Sequence, residues 1–92
     1  MSEDPIRFSR GGSATVEAAD NTHVTLRATL AFPPGAPAEG EITHNGGTHR
    51  FVLKVSGSMR EGDRWRVRAR HTGASSAVRA AFVAHLAAPP GP

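Results

Sequence analysis

Apolar and polar residues alternate along most of the chain, which is the pattern of β-strands that bury one face. The clearest example is HVTLRATLAF, residues 23–32, and the segments SATVEA, AEGEIT, RFVLKVSG and DRWRVRAR repeat it. The residues predicted to lie on the buried faces are Val24, Leu26, Ala28, Leu30, Phe32, Phe51, Leu53, Val55, Trp65, Val67 and Ala69.

Turn-forming residues separate these strands. The segment PPGAP, residues 33–37, cannot continue a ladder because proline lacks the N–H donor. The segment HNGGTH, residues 44–49, contains the Asn-Gly pair that favours a tight hairpin. Five or six short strands at a spacing of about ten residues are typical of a small barrel or sandwich.

The segment AVRAAFVAHLAA near the C-terminus has a helical period instead. Ser75 or Ser76 can cap its start, and Pro89 and Pro90 stop it. The spacing predicts a helix over residues 76–87, which is too short to be stable alone and should dock on the barrel. The residues expected to pack there are Val78, Phe82 and Leu86.

The chain is short, with 92 residues and no cysteine. This length suits a single domain, which we expect to span residues 1–88 with a disordered tail over residues 89–92. The lack of cysteine excludes disulfides and thiolate metal sites. No long apolar run and no apolar signal region occur, so we expect a cytoplasmic protein without a membrane-inserted segment.

Basic residues concentrate in the C-terminal third. Residues 64–92 contain five arginines and no carboxylate, although the whole chain has eight carboxylates and a net charge of +3. Arg64, Arg66, Arg68 and Arg70 alternate with apolar residues, so an extended segment would expose them as one row. Two interpretations stay open: charges that discourage strand addition at a sheet edge, or a surface that binds an anionic partner.

Residues with catalytic or ligand chemistry are sparse. His44 and His49 flank one predicted hairpin, but two imidazoles without a neighbouring carboxylate are a poor zinc site. No nucleophile elbow or phosphate-binding glycine loop occurs. Alternation buries most of the aromatic residues and leaves Phe8 as the one available for base stacking, which disfavours a single-strand nucleic-acid platform. We therefore expect neither an enzyme nor a metalloprotein.

Several segments resemble the PilZ domain, a bacterial six-stranded antiparallel β-barrel with a C-terminal α-helix. ADNTHVTLRATLAFPPGAPAEGEI resembles the PilZ stretch in which a [D/N]xSxxG motif turns into a strand. FVLKVSGSMREGDRWRVRAR and SSAVRAAFVAHL resemble the closing hairpin and the terminal helix of the same family, so the resemblance covers residues 14–87. It implies a signalling domain, many of whose relatives bind cyclic di-GMP.

The two family motifs are only partly present. By the resemblance, Asp20 and Thr22 stand at the acidic and hydroxyl positions of the first motif, and Thr25 replaces its glycine. The second motif, RxxxR, is represented by IRFSR, which places Arg7 and Arg10 three residues apart. Arginines of that motif hold guanine and phosphate through planar guanidinium groups. Both departures predict weak or absent cyclic di-GMP binding.

The leading interpretation is a PilZ-like adaptor that acts through protein contacts in motility, pilus or surface-behaviour signalling. It requires no cofactor, and cyclic di-GMP is its candidate ligand. The residues expected to contact the protein partner are Arg64, Arg66, Arg68 and Arg70.

Two alternatives remain. The first is a working receptor whose cyclic di-GMP contacts are Arg7, Arg10, Asp20 and Thr22. The second is a basic barrel that binds nucleic-acid phosphates through the arginine row.

Overall fold

The computed structural model describes residues 4–20, 22–44 and 46–87, and the side chains of residues 86 and 87 lie outside that description. The chain forms six strands and one helix in this order: β1 (Ile6–Phe8), β2 (Ser13–Ala19), β3 (His23–Ala28), β4 (Pro37–His44), β5 (Gly47–Glu61), β6 (Arg64–His71) and α1 (Ser76–Ala87). All neighbouring strands are antiparallel, and they close into a barrel with the order β1-β2-β3-β6-β5-β4. The predicted fold class, a six-stranded antiparallel barrel with a C-terminal helix, is confirmed.

The barrel interior is filled by the apolar faces that alternation predicted. Ring contacts run through its centre, since Phe8 lies edge-on to Phe32 with centroids 4.9 Å apart and Phe51 lies edge-on to Phe82 at 5.3 Å. Phe8 is therefore buried, and the expectation that it is available for stacking on bases is wrong. The largest fully buried side chains are Phe32, Phe82, Ile6, Leu26, Ile42, Leu53, Val24, Val55 and Val67.

Strand β1 forms the seam of the barrel. It has three residues, each with a Cα partner on β4, and its last residue, Phe8, faces Gly40. A Cβ on Gly40 would collide with the carbonyl of Arg7 and the Cα of Phe8, which are backbone atoms that cannot rotate away. Glycine at this position is what allows β1 and β4 to approach closely enough to close the barrel.

Helix α1 packs against β2, β4 and β5. Ser75 caps it, because its hydroxyl accepts a hydrogen bond of 3.3 Å from the Val78 N–H. Val78, Ala81 and Phe82 are buried on the barrel side, as the helical period predicted. The bounds of the predicted helix are confirmed, whereas the predicted contact of the Leu86 side chain and the tail over residues 89–92 lie outside the described residues.

Two strand ends differ from the sequence prediction. Strand β3 ends at Ala28, yet Phe32 is still buried because its backbone N–H and C=O both bond the Ser58 hydroxyl, at 3.0 and 2.7 Å, instead of joining a ladder. Strand β5 continues to Glu61, beyond the predicted strand RFVLKVSG, with a register shift between Val55 and Gly57. Such a bulge bends a long strand so that it follows the barrel wall.

Within the described residues, no helix has both the length and the apolar character needed to cross a bilayer.

Candidate functional site

The β2–β3 turn is organised by Asp20. Its Oδ1 accepts hydrogen bonds from the backbone N–H of His23 at 2.7 Å, from that of Thr22 at 2.8 Å and from the Thr22 hydroxyl at 3.1 Å. These bonds, first those from the backbone of His23 and Thr22, hold the pKa of Asp20 below its ordinary value of 3.8. Asp20 and Thr22 thus bond each other to shape the turn.

Thr25, at the position where the PilZ motif has glycine, lies inside β3. It pairs with Ala18 on one side and with Arg68 on the other. The chain therefore continues as an extended ladder at this position, which suits a β-branched residue.

The two arginines of the partial second motif lie at the opposite end of β2. Arg7 is an exposed residue of β1 opposite Ser13, the first residue of β2. The Arg10 guanidinium lies 5.3 Å from the Phe32 ring centroid. Asp20 follows the last residue of β2, roughly 20 Å from Ser13 at about 3.3 Å per strand residue. The structure does not bring Arg7 and Arg10 together with Asp20 and Thr22.

The arginine row of β6 divides into two halves. Arg64 and Arg66 are half-buried and paired, so the expectation that all four arginines form one exposed stripe is wrong. Arg64 Nη1 lies 2.9 Å from Asp4 Oδ2, and Arg66 lies 2.5 Å from Glu17 and 3.4 Å from Glu61. Residues 64–92 contain no acid, but the closed barrel brings acids from β2, β5 and the N-terminal segment to this row.

Asp4 is held by two partners. Its Oδ2 accepts a hydrogen bond of 2.7 Å from the Ser13 hydroxyl as well as the bond from Arg64. The Ser13 hydrogen bond contributes most to lowering the pKa of Asp4 below 3.8, burial opposes it, and Arg64 adds to it. Arg64 and Asp4 therefore help to fix the N-terminal segment on the barrel.

Trp65 was predicted to lie on a buried face, but its side chain is only half-buried. The Arg60 guanidinium lies 5.8 Å from the centroid of its ring. At this end of the barrel the indole is not fully buried, and the Arg60 side chain of the same β5–β6 hairpin packs over its ring.

Arg68 and Arg70, in the other half of the row, are exposed. Arg70 lies between His23 of β3 and Lys54 of β5, which are its direct Cα partners on either side. No described carboxylate forms an ion pair with Lys54, Arg68 or Arg70. We call the exposed residues His23, Lys54, Arg68 and Arg70 the basic patch.

Lys54 and His23 were not singled out from the sequence. Each lies in a different strand, and only the strand order β3-β6-β5 places them beside Arg70. The alternating pattern places Lys54 on the outward face of its strand, and this was the only sign in the sequence that Lys54 could belong to a surface patch.

His44, on the β4–β5 hairpin, lies beside His85 of α1. The His44 ring lies 5.9 Å from that of His85, and a ring nitrogen of His85 lies 2.6 Å from the Thr43 carbonyl oxygen. Among the described side chains, no group of three or more His, Asp or Glu is arranged to hold a metal ion.

Comparisons of the chain with protein-family models, curated proteins and solved structures found no match.

Proposed function

We propose that the protein is a PilZ-like signalling adaptor of the bacterial cytoplasm that binds an acidic surface of a partner protein through the basic patch. It performs no catalysis and requires no cofactor. The observation that carries the proposal is the position of Arg70 directly between Lys54 and His23, with no described carboxylate paired to Arg70 or Lys54.

Like charges directly opposite each other on neighbouring strands destabilise a sheet, because their Cβ atoms are only about 5 Å apart. The same sheet shows how such crowding is relieved elsewhere. Arg27 and Arg66 are also direct partners, and there Glu17 and Glu61 pair with Arg66. Lys54, Arg68 and Arg70 have no such acid paired with them among the described residues, so carboxylates supplied by a partner would relieve their repulsion.

The resemblance to PilZ domains supplies the functional class. The six-stranded barrel with a C-terminal helix is the architecture that this resemblance implies, and it supports the proposal at the level of fold alone. The separation of Arg7 and Arg10 from Asp20 and Thr22 supports an adaptor with weak or absent cyclic di-GMP binding.

The expected affinity for cyclic di-GMP is weaker than about 10 μM. Loss of two charge-assisted contacts, at about 1.5 to 3 kcal/mol each, weakens a micromolar site at least a hundredfold. A submicromolar dissociation constant that Arg7→Ala or Asp20→Ala abolishes would overturn the adaptor proposal in favour of a receptor.

Amide NMR titration with a Glu/Asp-rich peptide tests the patch. We expect shifts at residues 23, 54, 68 and 70, a dissociation constant that weakens as salt increases, and loss of binding in Arg70→Glu. Arg50→Glu is the matched control, because Arg50 is exposed on β5 but lies opposite Glu41 instead of a cation. Equal losses in both variants would show attraction by net charge and reject a defined surface.

The alternative, nucleic-acid binding, is tested by titrating a duplex oligonucleotide at physiological salt. Tighter binding of the oligonucleotide than of the peptide would replace the adaptor proposal with nucleic-acid binding. A partner captured from cell extract supports the adaptor if it carries an acidic surface and is lost with Arg70→Glu but kept with Arg50→Glu.

A further inference from the structure

A second concentration of basic groups lies where the β2–β3 turn, the end of β6 and the first turns of α1 meet. These elements enclose a cleft of about 300 Å³. The residues that line it are Thr22, His23, Arg70, His71 and Arg79. His71 and Arg79 come from a strand end and a helix that meet only in the fold, so no sequence pattern connects them.

The cleft adjoins a hollow on the helix side. This hollow, of about 490 Å³, also borders Thr22 and Arg79, and Ser76, Ala80 and Val83 of α1 complete its lining. The first turn of α1 contains no acidic residue. The space beside Arg79 is therefore wide enough for a small molecule attached to a charged group in the cleft.

The charges around the cleft are unbalanced. Arg70 approaches from β6 and Arg79 from α1, and neither side chain forms an ion pair with a described carboxylate. Asp20 is the acid of the adjacent turn, and its Oδ1 already accepts three hydrogen bonds within that turn. The cleft thus presents two guanidinium groups that form no ion pair with a described carboxylate.

Buried nitrogen atoms beside the cleft lack hydrogen-bond partners. Both ring nitrogens of His71 and the Nε of Arg79 are covered and make no hydrogen bond to the described protein. Burial lowers the pKa of His71 from 6.5, and Arg79 and His23 lower it further, while Asp20 opposes them. Buried polar atoms without a hydrogen-bond partner are uncommon in folded proteins, and at this position they lie beside two guanidinium groups that form no ion pair with a described carboxylate.

We propose that this cleft binds the dianionic phosphate group of inorganic phosphate or of a small phosphate monoester, held by the guanidinium groups of Arg79 and Arg70. Planar guanidinium groups match phosphate oxygens through paired N–H donors. Two of them approach from different elements, which suits a group with several oxygens. The cleft shares His23 and Arg70 with the basic patch, whereas Thr22, His71 and Arg79 belong to the cleft alone.

The test is a titration of inorganic phosphate, at constant ionic strength, followed by amide and histidine-ring NMR. We expect saturable shifts at residues 22, 23, 71 and 79, a weakening of at least tenfold in Arg79→Gln, and less than a twofold change in Arg68→Gln. The second variant removes the same charge from an exposed β6 residue that does not line the cleft. Shifts that never saturate, or equal weakening in both variants, would reject the site.

A second measurement keeps the test decisive if Arg79→Gln does not fold. In the wild-type protein, a phosphate bound beside His71 favours the protonated ring, so the titration midpoint of His71 should rise when phosphate replaces chloride. An unchanged midpoint would overturn the proposal.

Methyl phosphate, titrated in parallel, distinguishes the two sources of the group. Tighter binding than inorganic phosphate indicates a monoester whose organic part uses the hollow beside Ala80 and Val83, and weaker binding indicates free phosphate. Lys54 and Arg68 report on the acidic peptide alone and His71 and Arg79 on phosphate alone, because only the second pair lines the cleft, so failure here and failure of the adaptor proposal are separate results.

Discussion

Arg66 and Glu17 form an ion pair in which Nη2 lies 2.5 Å from Oε1, although 49 residues separate them along the chain. They stand on β6 and β2, so the pair reaches over β3, which lies between these strands. Glu17 falls at the register shift between Val16 and Ala18. A bulge re-aims the side chain at the shifted position, and here that side chain is the carboxylate that pairs with Arg66.

The two halves of the arginine row should respond differently to charge reversal. Arg66→Glu places a third carboxylate beside Glu17 and Glu61 and removes two ion pairs, so we expect the free energy of unfolding to fall by about 1 kcal/mol or more. Arg68→Glu should change it by less than about 0.5 kcal/mol, because Arg68 is exposed and unpaired among the described residues. Urea unfolding of each single variant measures the difference, and equal effects would contradict the assigned ion pairs.

The helix should contribute strongly to stability through Phe82. Its side chain is fully buried against the Phe51 and His71 rings, and Phe82→Ala should cost about 3 to 5 kcal/mol. At about 4 °C or more per kcal/mol for a domain of this size, the melting temperature should fall by more than about 10 °C. The neighbouring Val83 is 38% exposed, so Val83→Ala is the control and should cost far less. A Phe82→Ala protein that melts within about 2 °C of wild type would contradict the docked helix.

The seam should not tolerate a side chain at Gly40. Gly40→Ala forces the Arg7 carbonyl away from β4, and overpacking of this kind costs about 1 to 3 kcal/mol. Gly57→Ala is the matched control, because an added Cβ there meets no atom within 4 Å and the residue also lies in a strand. Thermal unfolding of the pair measures the difference. If the two variants were equally stable, β1 and β4 could not be packed as closely as described.

Asp4 and Ser13 should contribute a pH-dependent stability. The pKa of Asp4 is lowered in the folded chain, so its contribution is present above about pH 4, the unfolded value, and is lost as the pH falls through the lower folded value. Removing the Ser13 hydroxyl should raise the pKa of Asp4 and lower the free energy of unfolding at pH 6 by about 1 kcal/mol.

Two measurements check this. Carboxyl NMR titration of Asp4 should show the higher pKa in Ser13→Ala, and the stability difference from wild type should shrink below the Asp4 titration. Ser9→Ala is the control, because Ser9 is exposed and makes no described side-chain hydrogen bond. A stability difference that does not vary with pH would contradict the role of the Asp4 carboxylate.

Features set by local sequence were predictable. Alternation identified the inward positions of β3, β5 and β6, and the helical period placed α1 at residues 76–87, because a strand or helix repeats its buried face at a fixed spacing. Strand β1 is too short to show alternation, and the segment IRF forms a strand only because β2 and β4 offer partners on both sides.

Features set by closure of the barrel were not predictable. The ion pairs of Arg64 and Arg66 depend on acids that lie far away in sequence, and one of these acids stands at a bulge. The cleft beside His71 and Arg79 likewise depends on where α1 docks. Charge counted along the chain overestimated the exposed row on β6, because two of its four members are paired in space.

The short β1 seam has a consequence for self-association. Five Cα pairings, three to β4 and two to β2, hold this strand, so its detachment breaks fewer ladder contacts than removal of any other strand. When β1 detaches, the closed barrel becomes an open sheet whose two edge strands, β2 and β4, can each pair with a strand of sequence IRF. The β1 strand of a second copy has this sequence, so among the six strands β1 is the one whose exchange between two chains breaks the fewest ladder pairings.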